Sequence, residues 1–280
     1  MSEVKNRLTI VEESKAYWRV IIDNPPVNLW DPWMFAELNV LMTKMETDKD
    51  LKVVVFESAN EDFFMSHHDV KNRPYAAEQE GGAKFFHEWP NLVTRLNNCP
   101  VISIAKVRGR AWAQGFEFAL SCDMVFASKE KAKFSLVEVA GGSMPGGGGI
   151  DWLSARCGRH RAMEIVLSAD AYDGDLAERY GFINRALPDA ELDQFVDTLA
   201  RRLAGFDHRS LLIGKKLVNA RAGVPSTADL FTENYILNAF DNWKEGKEGY
   251  GDEKKTGPEI TDQYEFELNM PAKFGPSINE

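Results

Sequence analysis

One carboxylate stands out by its surroundings. Glu117 lies in GRAWAQGFEFALSCDMVFAS, enclosed by Trp, Phe, Ala, Leu, Cys, Met and Val. Charged side chains are seldom buried unless paired, and an unpaired buried carboxyl takes up a proton. Gly115 stands two residues before it, at the expected start of a helix. Glycine permits close approach of a ligand, and a helix N-terminus offers free N–H groups to an anion. Such donors beside a carboxylate would polarise a carbonyl and move a proton next to it. The plainer reading is a first-turn Glu stabilised by the helix dipole. Glu138, in AKFSLVEVAGGSMPGGGG, follows 21 residues later, far enough for the chain to return to the same pocket. Two converging carboxyls can divide acid and base roles. Its alternative is a solvated carboxylate at a strand end. The glycine run after it has no GK[ST] and does not fit GxGxxG, so it is no phosphate cradle of either kind.

Two further stretches carry chemistry-bearing residues. FFMSHHDV sets His67 and His68 beside Asp69, yet adjacent side chains diverge, and no second cluster forms from His87, His160 and His208. No metal site is expected. A serine nucleophile is equally unsupported, because no GxSxG elbow occurs. Lys215 and Lys216 are adjacent on an expected helix, either solvated or meeting a phosphate.

Alternating elements must position these groups. Residues 15–23 read as a strand ending at the turn NPPVN, and 31–45 as a helix with Met34, Leu38, Leu41, Met42 and Met45 at helical spacing. LKVVVFES and VISIAKV are buried strands, with a helix at 89–96 between them, and 72–86 resist assignment. Short strands follow at 124–127 and in AKFSL, and a helix opens near Ile150. AERYGFINRAL gives helix then strand. Residues 189–204 form an amphipathic helix, apolar at Leu192, Phe195, Val196, Leu199 and Leu203. Beyond 207 only helices are expected, at 208–221 and 226–243. The pattern implies an α/β core at 1–205, a helical region at 206–245 and a charged, mobile tail at 246–280. No internal repeat appears.

Composition sets outer limits. With 44% hydrophobic and 27% charged residues the chain is ordinary globular protein, and a net charge of −10 argues against nucleic acid or an anionic membrane as partner. No apolar run approaches a membrane span, and the N-terminus lacks the apolar centre of a signal peptide. Cys99, Cys122 and Cys157 are odd in number and widely spaced, as expected of reduced thiols in a cytoplasmic protein.

In order and spacing, PVISIAKVRG, RAWAQG with Glu117, AKFSLVEVAGGSMPGGGG, GRHRAMEIVLSAD and AERYGFINRALP resemble the crotonase (enoyl-CoA hydratase/isomerase) superfamily over roughly residues 8 to 243. The resemblance implies a spiral of ββα units with a C-terminal helical trimerisation region, assembled as a homotrimer or hexamer. It implies an oxyanion hole made by the backbone N–H groups of His68 and Gln114, with Glu117 and Glu138 as acid and base. Ser66, His67, Trp112, Gly115, Pro145 and Gly146 would line the pocket. Asp69, Lys71, Lys215 and Lys216 would meet coenzyme A, which enters as part of the substrate, with no separate cofactor. The implied reaction is hydration of a 2-enoyl-CoA to a 3-hydroxyacyl-CoA. The family's glycine before the first oxyanion donor is His67 here, and its triple glycine reads Ala113-Gln114-Gly115. The alternative is therefore a diverged member, an isomerase or a C–C hydrolase of a β-diketone, using His67 or His68 as a further acid/base. A catalytically silent assembly protein fits the two glutamates least well.

Overall fold

VVVFES lacks polar alternation because both of its faces are covered. In the computed structural model, which describes residues 6–69, 84–245 and 263–279, this run is β3 (Val53–Ser58). Val54 and Phe56 point into the main core, and Val53 and Val55 into a second cluster on the opposite face. That second face is roofed by α6 (Asp189–Ala204) through Leu192, Val196 and Ala200, one residue per turn. Burying a side chain such as Leu192 contributes about 1.5–3 kcal/mol.

β3 belongs to a six-stranded sheet with β1 (Leu8–Ser14), β2 (Tyr17–Ile22), β5 (Ile102–Val107), β7 (Met124–Ser128) and β10 (Arg185–Leu187). The order is β1-β2-β3-β5-β7-β10, and every pair except β1–β2 is parallel. A smaller sheet runs β4 (Phe63–Met65), β6 (Arg110–Trp112), β8 (Lys133–Ser135) and β9 (Tyr172–Asp173), parallel but for β9. The helices between them are α1 (Pro32–Thr47), α2 (Lys84–Asn98), α3 (Gln114–Ser121), α4 (Gly149–Ser168) and α5 (Gly174–Tyr180). Three ββα units thus recur, β3-β4-α2, β5-β6-α3 and β7-β8-α4. The first strand of each extends the large sheet and the second extends the small one. The chain therefore advances as a spiral. The repeat is one of backbone path, carried by strands as short as three residues, so no period shows in the sequence.

The helical extension is α7 (His208–Asn219) and α8 (Thr227–Glu245). Lys215 ties α7 to the core. Its ammonium is 2.8 Å from Asp123 Oδ2 and donates to Val101 O (2.9 Å) and Leu96 O (3.2 Å), with its side chain only 6% exposed. This corrects the expectation that Lys215 meets a coenzyme A phosphate, because its charge is spent inside the protein. Lys216 is exposed, and Lys71 lies outside the described residues.

The tail departs from expectation as well. Residues 263–279 pack on the core as α9 (Gln263–Leu268) and a 3-10 turn (Pro271–Lys273). Met270 is buried with Val27, Phe63, Trp112, Ala113 and Val137, and Tyr264, Phe266 and Leu268 pack against that cluster. Arg110 Nε donates to Leu268 O (2.7 Å), and Asp170 Oδ2 accepts from Ser277 Oγ (2.9 Å) and Ile278 N (2.7 Å). The apolar spacing of QYEFELNM supplies the adhesive that the overall charge of 246–280 conceals.

Removing one partner of a buried ion pair leaves the other charge uncompensated. Lys215→Ala is therefore expected to destabilise by about 3 kcal/mol in urea unfolding, whereas Lys216→Ala stays within about 0.5 kcal/mol. Equal effects from the two variants would refute this account of α7.

Candidate active site

Glu117 sits in the first turn of α3 with 3% of its surface exposed. Its Oε1 accepts from two backbone amides, Gly147 N (2.8 Å) and Gly149 N (3.0 Å), at the N-terminus of α4. The glycine run is the mould of this carboxyl. A Cβ at Gly147 would collide with Glu117 Oε2 and the Trp89 indole, and one at Gly149 would press on Glu117 Oε1. Gly148 has φ +101°, and a Cβ there would strike Leu230 of α8. Trp89 Nε1 donates to Gly147 O (2.9 Å) and Asn234 Nδ2 to Gly146 O (3.1 Å), so the loop is pinned from α2 and α8.

Beside Glu117 the backbone prepares two amides. Ala113 caps α3 at φ +48°, a left-handed conformation that costs a non-glycine residue about 1–3 kcal/mol and gathers at functional sites. Gln114 N is the first N–H of that helix, where the helical ladder supplies no acceptor. Gly115 is glycine because a Cβ would run into the Met65 carbonyl, which lets α3 close against the end of β4. The chain continues through Ser66 to Asp69, laced to 28–30 by Ser66 N to Asn28 O (3.1 Å), Trp30 N to His67 O (3.0 Å) and Asp69 N to Trp30 O (2.8 Å). In that parallel bridge His68 is the residue paired with Trp30, so its own N–H points to the opposite side.

Glu138 follows β8. It is partly buried, and its Oε2 is shielded from water with no hydrogen-bond partner among the described residues. Burial, and then the neighbouring Glu117, raise its carboxyl well above the usual range. Burial likewise pushes Glu117 up to about 7, against the two amides that favour its charge. Sequence reading missed a third carboxyl. Glu233 of α8 is 7% exposed, and its Oε1 accepts from Gly148 N (2.7 Å). Burial and the charge of Glu117 push it up to about 9. Glu233 falls one helical turn after Leu230, and that spacing was its only sequence signal.

The structure thus brings Glu117, Glu138, Gly115, Pro145 and Gly146 together around one loop, with Gln114 at its helix end. Several pocket expectations need correction. Trp112 is buried beneath the tail, its Nε1 donating to Glu267 O (2.8 Å). Ser66 Oγ donates to Glu267 Oε2 (2.9 Å), and the His67 ring meets Glu267 Oε1 (2.6 Å), so both serve the tail. Asp69, expected to meet coenzyme A, is nearly buried.

The three raised carboxyls have a consequence for stability. Each binds its proton more tightly in the folded chain than at the ordinary 4.5, so folding takes up protons and stability falls as pH rises from about 4.5 through 7 to 9. Glu233→Gln keeps the acceptor for Gly148 N and cannot ionise. Its melting temperature is expected to match that of the native chain at about pH 4 and to exceed it by a growing margin up to about pH 9. Parallel melting curves for the two proteins across that range would refute the assignment.

Comparison with known proteins fits this geometry. The sequence model of the enoyl-CoA hydratase/isomerase family matches residues 12–260. A solved Streptomyces avermitilis protein assigned as an enoyl-CoA hydratase superposes with TM-score 0.84 at 33% identity, covering 98% of each chain. A Rhizobium meliloti (strain 1021) protein also assigned as one is 27% identical over 86% of this chain and 93% of its own. The (E)-benzylidenesuccinyl-CoA hydratase of Thauera aromatica is 25% identical over 80% of this chain and 86% of its own. The family model covers most of the sequence, and the chain belongs to the enoyl-CoA hydratase/isomerase family.

Proposed function

We infer that this protein hydrates a 2-enoyl-CoA to the 3-hydroxyacyl-CoA. The observation that carries the reading is the coupled pair Glu117 and Glu138, both raised by burial and Glu138 further by the charge of Glu117. Two neighbouring carboxyls raised in this way do not readily ionise together, leaving the protonated group to give a proton and the ionised one to take one. The thioester oxygen would lie between His68 N and Gln114 N. Negative charge developing there as water adds to C3 is held by dipoles already in place, each worth about 2.7–4 kcal/mol. Whichever of Glu117 and Glu138 is ionised takes the proton of the attacking water, and the protonated one returns a proton to C2, so the proton lost by water and the one gained by carbon balance. The names of the three relatives described above, each a hydratase, support the substrate class. A histidine acid/base is disfavoured at position 67, because both ring nitrogens are engaged within the protein.

Assembly belongs to the same reading. Ile213, Leu217 and Val218 of α7 and Phe231, Tyr235 and Ile236 of α8 are between 37% and 68% exposed in the single chain. So much apolar surface on two adjacent helices calls for a partner. The partner proposed is a second and third copy of this chain in a closed ring, or two such rings.

Glu117→Gln and Glu138→Gln are each expected to slow hydration of crotonyl-CoA or a longer enoyl-CoA by about 10²–10⁴-fold. Full rate in either variant would sink the mechanism. Coenzyme A or an acyl-CoA should raise the melting temperature, as a ligand of the native state must. Light scattering should give three or six times the 31.6 kDa chain mass, and the mass of one chain would refute the ring.

A further inference from the structure

The two nitrogens of His67 face only acceptors. Nδ1 lies 2.7 Å from His68 O, and a carbonyl cannot donate, so Nδ1 carries a proton. Nε2 lies 2.6 Å from Glu267 Oε1. That carboxyl is fully buried, and its oxygens also receive Gln263 Nε2 (2.6 Å) and Ser66 Oγ (2.9 Å). With Gln263 and Ser66 already donating to it, Glu267 is the acceptor of the third contact as well, so Nε2 carries a proton too. The partners are about 200 residues apart in sequence. One sits on the segment before Asp69, the other on α9.

We propose that Glu267 holds His67 as an imidazolium, locking the 66–69 loop and with it the His68 N–H, so that the C-terminal segment completes the active site. Both are positioning residues: neither touches the reacting atoms. The His67 carbonyl shares its peptide unit with His68 N and accepts from Trp30 N (3.0 Å), so a shift of this ring turns the amide that must meet the thioester oxygen. The other charged groups on the surrounding elements do not offer a better partner. Asp69 of the same loop adds attraction to the imidazolium, Asp31 beside Trp30 pairs with Arg7, and Glu117 is held at the glycine loop. At the far side of α9, Asp62 is taken by Tyr264 and Arg110 by the Leu268 carbonyl, while Glu265 is exposed. Glu267 raises the His67 imidazole against the opposing effect of burial, consistent with the geometry.

The test reads His67 directly, by nuclear magnetic resonance of nitrogen-labelled imidazole in the full chain, with exposed His160 as reference. His67 should hold both ring protons to a pH above the ordinary histidine range. In Glu267→Gln it should release one at a lower pH than in the native chain. The same variant should lower kcat for enoyl-CoA hydration between about 10- and 100-fold with little change in KM. A His67 that loses its second proton within the ordinary histidine range in the native chain overturns the proposal. So does a variant with unchanged kcat. If the variant does not fold, the native spectrum alone decides the protonation and His67→Gln supplies the kinetic arm. The kinetic arm rests on the hydration reading. If no enoyl-CoA is turned over, that reading falls, while the imidazole spectrum still decides the pair.

Discussion

A buried carboxylate held by backbone alone is the constraint around which this chain is arranged. Glu117 receives two amide hydrogen bonds and, among the described residues, no cation. Hydrogen bonds to a charged group contribute about 1.5–3 kcal/mol each, whereas burying an ion costs several kcal/mol. Burial wins, and the carboxyl rises to about 7. Everything nearby answers to that balance. The loop must be glycine where the carboxyl presses on it, the N-terminus of α4 must aim its amides inward, and Trp89 must fix the loop from behind. A group so tuned gains and loses a proton near neutrality at small cost, which suits acid/base chemistry. The same burial makes the folded state weaker as pH rises, so site chemistry and stability pull in opposite directions.

Legibility in the sequence followed the length and purity of each signal. Glu117 was visible because a single charge interrupts a long apolar run. The buried strands β3 and β5, and α6 with its one-face stripe, were equally plain. β4, β6 and β9 escaped because strands of two or three residues have no periodicity to read, although they build the small sheet that brings the 66–69 loop to α3. β1 escaped because its LTIVEES lies among polar neighbours. Lys215 shows the opposite failure. Adjacent lysines on a helix read as solvent-facing, and only tertiary contact reveals that one of them threads inward to Asp123 while the other stays in water.

The tail carries a similar lesson about charge. A stretch rich in Lys, Glu and Gly is expected to stay solvated, and composition alone cannot separate its two ends. The end from 263 onward carries Tyr264, Phe266, Leu268 and Met270 on a scaffold of polar residues. Those four cover Phe63, Trp112 and their neighbours, which would otherwise leave an apolar surface beside the small sheet. Glu267 is then carried inward as a passenger of that packing. Its burial is tolerated because Ser66, His67 and Gln263 saturate its oxygens. The departure at position 67 makes sense together with α9, since a glycine there would leave Glu267 without its main partner.

Helix α8 joins the site to the outer surface. Leu230, Glu233 and Asn234 lie at helical spacing i, i+3, i+4 and form one stripe, in contact with Gly148, the Gly148 amide and the Gly146 carbonyl. Phe231, Tyr235 and Ile236 project from the rest of the same turns into solvent in the single chain. A rigid helix cannot move one stripe without the other, so whatever covers the outer residues also fixes the Gly148 amide between its flanking amides on Glu117. Two carboxyls then share a three-residue loop, one from α3 and one from α8. Burial and then the charge of the first raise the second. Leu230, Glu233 and Asn234 thus tie the exposed stripe of α8 to the glycine loop that holds Glu117.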